Sequence, residues 1–132
     1  MSKIAGRISL VVGQYFLLKP NKGIGTLFGK FENIQPREVT VVGAGVAGKE
    51  AIGKGIDSGA HVNVLDISEH KLQELAKEFG FENISYINST PENISDAVSK
   101  SDLVIGSVYV VGKEAPKVIT KEMLKGMKPG SV

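Results

Sequence analysis

The sequence predicts an α/β fold in which a doubly wound parallel sheet carries helices on both faces. Three observations predict it. Short apolar runs rich in valine and isoleucine alternate with stretches of helical period, and each change is marked by glycine, proline or a small capping residue. The first apolar run, Val39-Thr40-Val41-Val42, also breaks directly into Gly43-Ala44-Gly45-Val46-Ala47-Gly48. Alternation of this kind implies parallel pairing with right-handed crossovers.

The elements follow in order. Residues 2–18 read as a helix, because Ile4, Ile8, Val11, Tyr15 and Leu18 recur at three- and four-residue spacing and form an apolar face that must pack on something. Ser2 is a candidate cap for it. Lys19-Pro20-Asn21 ends the helix, and the stretch through Pro36 has no period. It reads as a connection to the sheet, with direct ligand contact from Gly23 to Gly29 as the lesser alternative. Residues 39–42 form a strand buried on both faces, and a helix over 46–57 ends at Ser58-Gly59. A strand over 61–65 leads to a helix over 68–79, closed by Gly80. Residues 83–88 form a third strand, and Thr90 with Pro91 opens a helix to Lys100. Asp102 to Val108 is a fourth, buried strand, followed by a loop over 110–117 and a short helix from Thr120 to Met127. Lys128-Pro129-Gly130-Ser131-Val132 has the form of a lead into a fifth strand. With that strand lacking, strand four is expected to be an apolar edge that favours pairing with a second molecule, either there or by exchange of the 2–18 helix.

Length and composition narrow the possibilities. At 132 residues the chain reads as one domain, with 1–36 its N-terminal helix and connecting segment. A 42% apolar content and 23% charged residues are ordinary for a globular chain. A net charge of +2 with few aromatics gives no footprint for nucleic acid. There is no cysteine, so disulfides, thiolate metal sites and cysteine nucleophiles are excluded. His61 and His70 stand at no metal-ligand spacing. Without a signal peptide or membrane-spanning run, a cytoplasmic location is expected.

The chemistry is carried by residues 39–66. Gly43 permits a sharp turn after the strand, Gly45 leaves bare backbone where a pyrophosphate must approach, and Gly48 lets the next helix lie close to the strand. Free N–H groups at that helix start suit phosphate. The second strand ends in Asp66, placed to accept hydrogen bonds from an adenosine ribose. Together these form the Rossmann-type signature of dinucleotide binding, and the acid favours NAD over NADP because a 2′-phosphate beside a carboxylate is repelled. Lys71 and His70 lie close enough to soften that preference. The alternatives are a phosphate-free structural turn, a different nucleotide-like ligand, and an Asp66 that merely caps the helix beginning near Ser68.

Several motifs carry a family likeness. Met1-Ser2-Lys3-Ile4-Ala5-Gly6-Arg7, the Lys19-Pro20-Asn21 turn with its glycine-rich sequel to Gly29, the 43–48 loop, Val64-Leu65-Asp66-Ile67, Ala115-Pro116-Lys117 and Met127 to Val132 together resemble the NAD-binding domain of alanine dehydrogenases. The nicotinamide nucleotide transhydrogenase alpha subunit is a near relative of that domain. The resemblance implies that Ser2, Val46 and Ala47 approach the cofactor, that Asp66 binds the ribose with Lys71 near it, and that Ser89 and the backbone of Val108 and Tyr109 line the adenine side and the path toward nicotinamide. The family's catalytic His and Asp do not fall on these 132 residues, so no catalytic residue is assigned. The reaction implied is reversible oxidative deamination of L-alanine to pyruvate and ammonium, requiring a substrate domain that is absent, and a homo-oligomer is expected. A non-catalytic nucleotide-binding module, a transhydrogenase-like subunit, and a scaffold in which 43–48 is only a turn are the competing readings.

Overall fold

The computed structural model describes residues 1–108, 112–114 and 116–132. The elements are α1 (Ser2–Phe16), β1 (Glu38–Val42), α2 (Val46–Asp57), β2 (His61–Asp66), α3 (Glu69–Phe79), β3 (Ile84–Asn88), α4 (Pro91–Lys100), β4 (Leu103–Gly106) and α5 (Lys121–Lys125), with a 3-10 turn at Lys19–Asn21. Among the described residues the sheet has four parallel strands in the order β3-β2-β1-β4. The chain winds outward from β1 to β3 and then returns to the other side of β1. The order therefore reverses between β1 and β4, and in folds of this kind ligands bind beyond the carboxyl ends of the strands at such a switch point.

Parallel strands covered on both faces should be continuously apolar, and the centre of this sheet is. Val39, Val41, Val42, Val62, Val64 and Leu65 are fully buried. One core, including Leu10, Ile52, Leu72 and Leu75, lies under α1, α2 and α3; a second, built on Leu65, Ile94, Ala97 and Val98, is closed by α4 and by Met123 of α5. Burial of each large side chain contributes about 1.5–3 kcal/mol. Thr40 is the polar exception in β1, and its hydroxyl is satisfied by that of Ser101. Asp102, also buried, accepts from the Glu38 N–H at 2.9 Å and from Lys128 Nζ at 2.8 Å. Asp102 thus anchors the start of β1 and the last turn to β4.

Three sequence expectations change. Helix α1 ends at Phe16, and its N-cap is Met1 with no side-chain acceptor, so Ser2 is the first helical residue and not a cap. Its buried face is Gly6, Leu10 and Gly13, continued by Leu17, whereas Ile4, Ile8, Val11 and Tyr15 point outward. The reason is close approach. A side chain at Gly6 would collide with the Ala47 carbonyl and one at Gly13 with Leu103, so the helix docks through its small residues. Strand β4 is also shorter than expected, because Asp102 spends its side chain on the anchor and Ser107 leaves the strand after its N–H bonds Val42 O at 2.8 Å.

The segment after α1 is tied down at the opposite end of the sheet from that switch point. Phe28 is buried, Gln14 donates to the Thr26 carbonyl at 2.7 Å, and Gly29 packs on the backbone of Ser58 and Gly59 after α2. Phe31 and Ile34 form a small antiparallel bridge. The Gly23 to Gly29 stretch is therefore a connection remote from the glycine loop. At the other border, Val132 donates to Asp102 O at 3.0 Å and accepts from the Val104 N–H at 2.8 Å, the bonding of a residue that runs parallel to β4.

Candidate functional site

The candidate site is built from four strand ends. After β1, Gly43 adopts φ 99°, a left-handed conformation that glycine enters without strain, and a Cβ there would press on the Ser107 carbonyl oxygen at 2.9 Å. A Cβ on Gly48 would collide with the Gly43 carbonyl, which α2 has to approach. Gly45 differs from both. A Cβ there would meet no protein atom within 4 Å, so nothing in this chain requires the absence of a side chain.

Gly45 caps α2, and no side chain accepts from the first turn, which also lacks an acidic residue. Helices α3, α4 and α5, in contrast, begin at Ser68, Thr90 and Thr120, each accepting from a first-turn N–H. The amide end of α2 is accordingly left to solvent or to an anion, with the partial positive charge of a helix start behind it. Val46 is exposed there and Ala47 half-buried.

Asp66 joins the second strand to this loop. Its side chain is 7% exposed; Oδ2 accepts from the Ala44 N–H and Oδ1 from the Ser68 N–H, both at 2.8 Å. The carboxylate thus spans the glycine loop and the start of α3. Each oxygen has a second lone pair, which leaves acceptor capacity for another donor. The capping role falls to Ser68, whose hydroxyl accepts from the Lys71 N–H at 3.3 Å. The Lys71 side chain is exposed in the first turn of α3.

The remaining candidates lie around the same end of the sheet. Ser89, after β3, donates its N–H to Asp66 O at 3.1 Å. Val108, after β4, would lie 3.1 Å from a Cβ on Gly43. Ser2 is exposed at the start of α1, one turn before the contact of Gly6 with Ala47. Tyr109 lies outside the described residues. The structure therefore brings the candidates from β1, β2, β3 and β4 to one end; His61, at the other end of β2, meets Ser85 Oγ at 3.1 Å, and His70, in the first turn of α3 beside Lys71, pairs with Glu74 at 3.0 Å. No cluster of metal-ligating side chains occurs among the described residues.

Two residues at this site escape the sequence reading. Ser107 donates its hydroxyl to the Gly43 carbonyl at 2.6 Å and tethers the turn to β4. Ile67, 84% exposed, offers an aliphatic surface beside Asp66. A small residue after Gly106 is a faint signal for the first; nothing in periodicity distinguishes the second. Close by, Arg7 joins α1 to α2 through Glu50 Oε2 at 2.9 Å, and this hydrogen bond holds the Glu50 carboxyl below its ordinary range.

Comparison with known proteins agrees with this arrangement. A family model described as alanine dehydrogenase/PNT, C-terminal domain, matches residues 9–132. The alanine dehydrogenases of Methanococcus maripaludis and Bacillus subtilis are each 40% identical over all 132 residues, and alanine dehydrogenase 2 of Staphylococcus aureus is 43% identical. The chain spans about 35% of the length of each of these relatives. A solved L-alanine dehydrogenase superposes with a TM-score of 0.94 at 36% identity, over 99% of this chain and 36% of that one. A transhydrogenase from Sinorhizobium meliloti superposes at 0.84 over 98% of this chain and 38% of that one; at 24% identity it shows the fold alone. The chain belongs to the alanine dehydrogenase/PNT family, whose C-terminal domain its residues 9–132 match.

Proposed function

We propose that the chain is the NAD(H)-binding domain of an alanine dehydrogenase, a cytoplasmic, oligomeric enzyme that interconverts L-alanine with pyruvate and ammonium. The observation that carries the reading is the contrast among the three loop glycines. Gly43 and Gly48 are required by the chain's own backbone, whereas the bare backbone at Gly45 faces open space before an uncapped helix. A pyrophosphate supplies what that end lacks: charge for the helix start and acceptors for its amides.

In this reading Gly45, Val46, Ala47 and Gly48 cradle the phosphates, with Ser2 at the flank. Asp66 uses its free lone pairs for the adenosine ribose hydroxyls, Ile67 and Ser89 border the adenine, Lys71 stands at the rim, and Val108 and Tyr109 lie on the path toward nicotinamide. Hydride exchange is the chemistry of the nicotinamide itself. The residues of this chain bind and orient it, and substrate contacts come from a separate substrate domain. Calorimetric titration with NADH and NADPH tests the proposal. Binding of one NADH per chain, with NADPH weaker because its 2′-phosphate meets Asp66, is the expected result; equal affinity for both, or no binding of either, would refute it.

A further inference from the structure

The first turn of α2 is gripped from two sides, and both grips are glycines. On the inner side Gly48 lies against the Gly43 carbonyl and the Ser107 hydroxyl, and a Cβ on Gly48 would strike both. On the outer side Gly6 of α1 lies against the Ala47 carbonyl. A Cβ on Gly6 would strike that oxygen and come within 2.9 Å of Glu50 Cβ. Beside this contact Arg7 Nε donates to Glu50 Oε2 at 2.9 Å. Contacts advance together along the two helices, from Gly6 with Ala47 to Leu10 with Gly55, so α1 and α2 run parallel. Glycine is disfavoured inside a helix, and what Gly6 permits in return is this approach.

The approach falls on one particular peptide group. The Ala47 carbonyl and the Gly48 N–H belong to the same planar unit, with the carbonyl directed along the helix and the N–H back toward its start. Among the described residues Lys49 is the first of α2 whose N–H has a backbone acceptor, Gly45 O at 2.8 Å. The Gly48 N–H stands ahead of it, among the amides that a helix start leaves free. Gly6 thus bears on the back of a peptide group whose front faces the glycine loop. We propose, resting on the NAD(H) reading above, that Gly6, secured by the Arg7–Glu50 pair, is a positioning residue of the nucleotide site. It sets the aim of the Gly48 N–H at the pyrophosphate without touching the ligand.

NADH titrations of the 132-residue chain, followed by fluorescence well below each melting temperature, test this with matched variants. Gly6→Ala should raise the Kd about 10- to 150-fold, the loss of a hydrogen bond to a charged group. It should also shift the amide resonances of Ala47 and Gly48 in the nucleotide-free protein. Gly13→Ala is the control. It puts the same methyl group on the same face of α1, against Leu103 Cδ2 at 2.6 Å where β4 begins. It should loosen the helix yet leave the Kd within about twofold, as a distant site does. Arg7→Gln and Glu50→Gln introduce no clash, and each should raise the Kd about two- to fivefold, the scale of an exposed ion pair. Their agreement in sign is the decisive readout. Charge alone would make loss of the cation weaken, and loss of the anion strengthen, binding of an anionic dinucleotide. An unchanged Kd in Gly6→Ala would overturn the inference and leave the nucleotide site standing. So would equal losses in Gly6→Ala and Gly13→Ala, or opposite effects of Arg7→Gln and Glu50→Gln. If Gly6→Ala does not fold, the two Gln variants decide by themselves. A wild-type chain that binds no NADH would overturn the nucleotide reading itself and this inference with it.

Discussion

Replacing Asp66 separates the clasp it forms in the fold from the ribose contact proposed for it. In the free protein the carboxylate accepts two backbone N–H groups at 2.8 Å, from Ala44 and Ser68. Hydrogen bonds to a charged group contribute about 1.5–3 kcal/mol each. Asp66→Asn keeps one acceptor oxygen and turns an amide donor toward the other N–H, so it should lose roughly one of these bonds, about 1.5–3 kcal/mol. Asp66→Ala loses both and should cost about twice as much. For a chain of this size each kcal/mol lowers the melting temperature by ~4 °C. With cofactor, the ribose hydroxyls lose a further charged acceptor, and about 1.5–3 kcal/mol corresponds to a 10- to 150-fold higher Kd for NADH. Thermal melts and NADH fluorescence titrations on the same samples, well below the melting temperature, measure the two effects side by side. A lowered melting temperature with unchanged NADH affinity would refute the reasoning, since Asp66 would then be only a clasp between the loop and α3. Asp66→Asn should also narrow the preference for NADH over NADPH, because the repelled 2′-phosphate no longer faces a charge.

Other perturbations follow from the same geometry. Gly48→Ala places a methyl group against the Gly43 carbonyl, so melts should show a loss of about 1–3 kcal/mol or more, with NADH binding lost as α2 is pushed away. Ser107→Ala removes the hydroxyl that holds Gly43 O at 2.6 Å, and should cost about 1 kcal/mol in denaturant titrations together with weaker NADH binding, whereas Ser107→Thr should restore both. Leu10→Ala, at a fully buried site, should lose about 2–5 kcal/mol. Tyr86 donates to the Gly80 carbonyl at 2.7 Å, and burial raises the pKa of its phenol above the usual 10.0. The unfolded chain therefore gives up this proton first, so stability is complete below about pH 10 and declines as pH rises through the folded value. Tyr86→Phe should remove that part of the alkaline loss in urea melts.

The sheet and its helices were legible because their signals are local and redundant. The valines of β1, the acid closing β2, Gly80 after α3 and the Thr90-Pro91 start of α4 each mark an element through a signal carried by its own few residues. The glycine loop was legible as a turn for the same reason: Gly43, Gly48 and Asp66 answer to the requirements of one turn. Helix α1 shows where such reading stops. Two stripes of equal period lie on it, Gly6-Leu10-Gly13-Leu17 and Ile4-Ile8-Val11-Tyr15, and hydrophobicity favours the wrong one. What decides is distance to Ala47 and Leu103, which only small residues permit. Ser107 was hidden because its partner, the Gly43 carbonyl, is brought near only by the crossover that sets β4 beside β1. By its place in the sequence Asp66 suits either a ribose acceptor or a helix cap. In the fold its carboxylate accepts from the loop and from Ser68, whose own hydroxyl does the capping.

The position of the dinucleotide can be read from backbone amide resonances of the isotopically labelled protein during titration with NADH. The amides of Gly45, Val46, Ala47 and Gly48 should shift together with those of Ile67, Ser68 and Ser89, saturating at one NADH per chain, while those of Leu27 to Ile34 at the far end of the sheet stay in place. Shifts confined to the 27–34 segment, or a glycine loop that does not respond at saturating NADH, would contradict a nucleotide site at the end of β1.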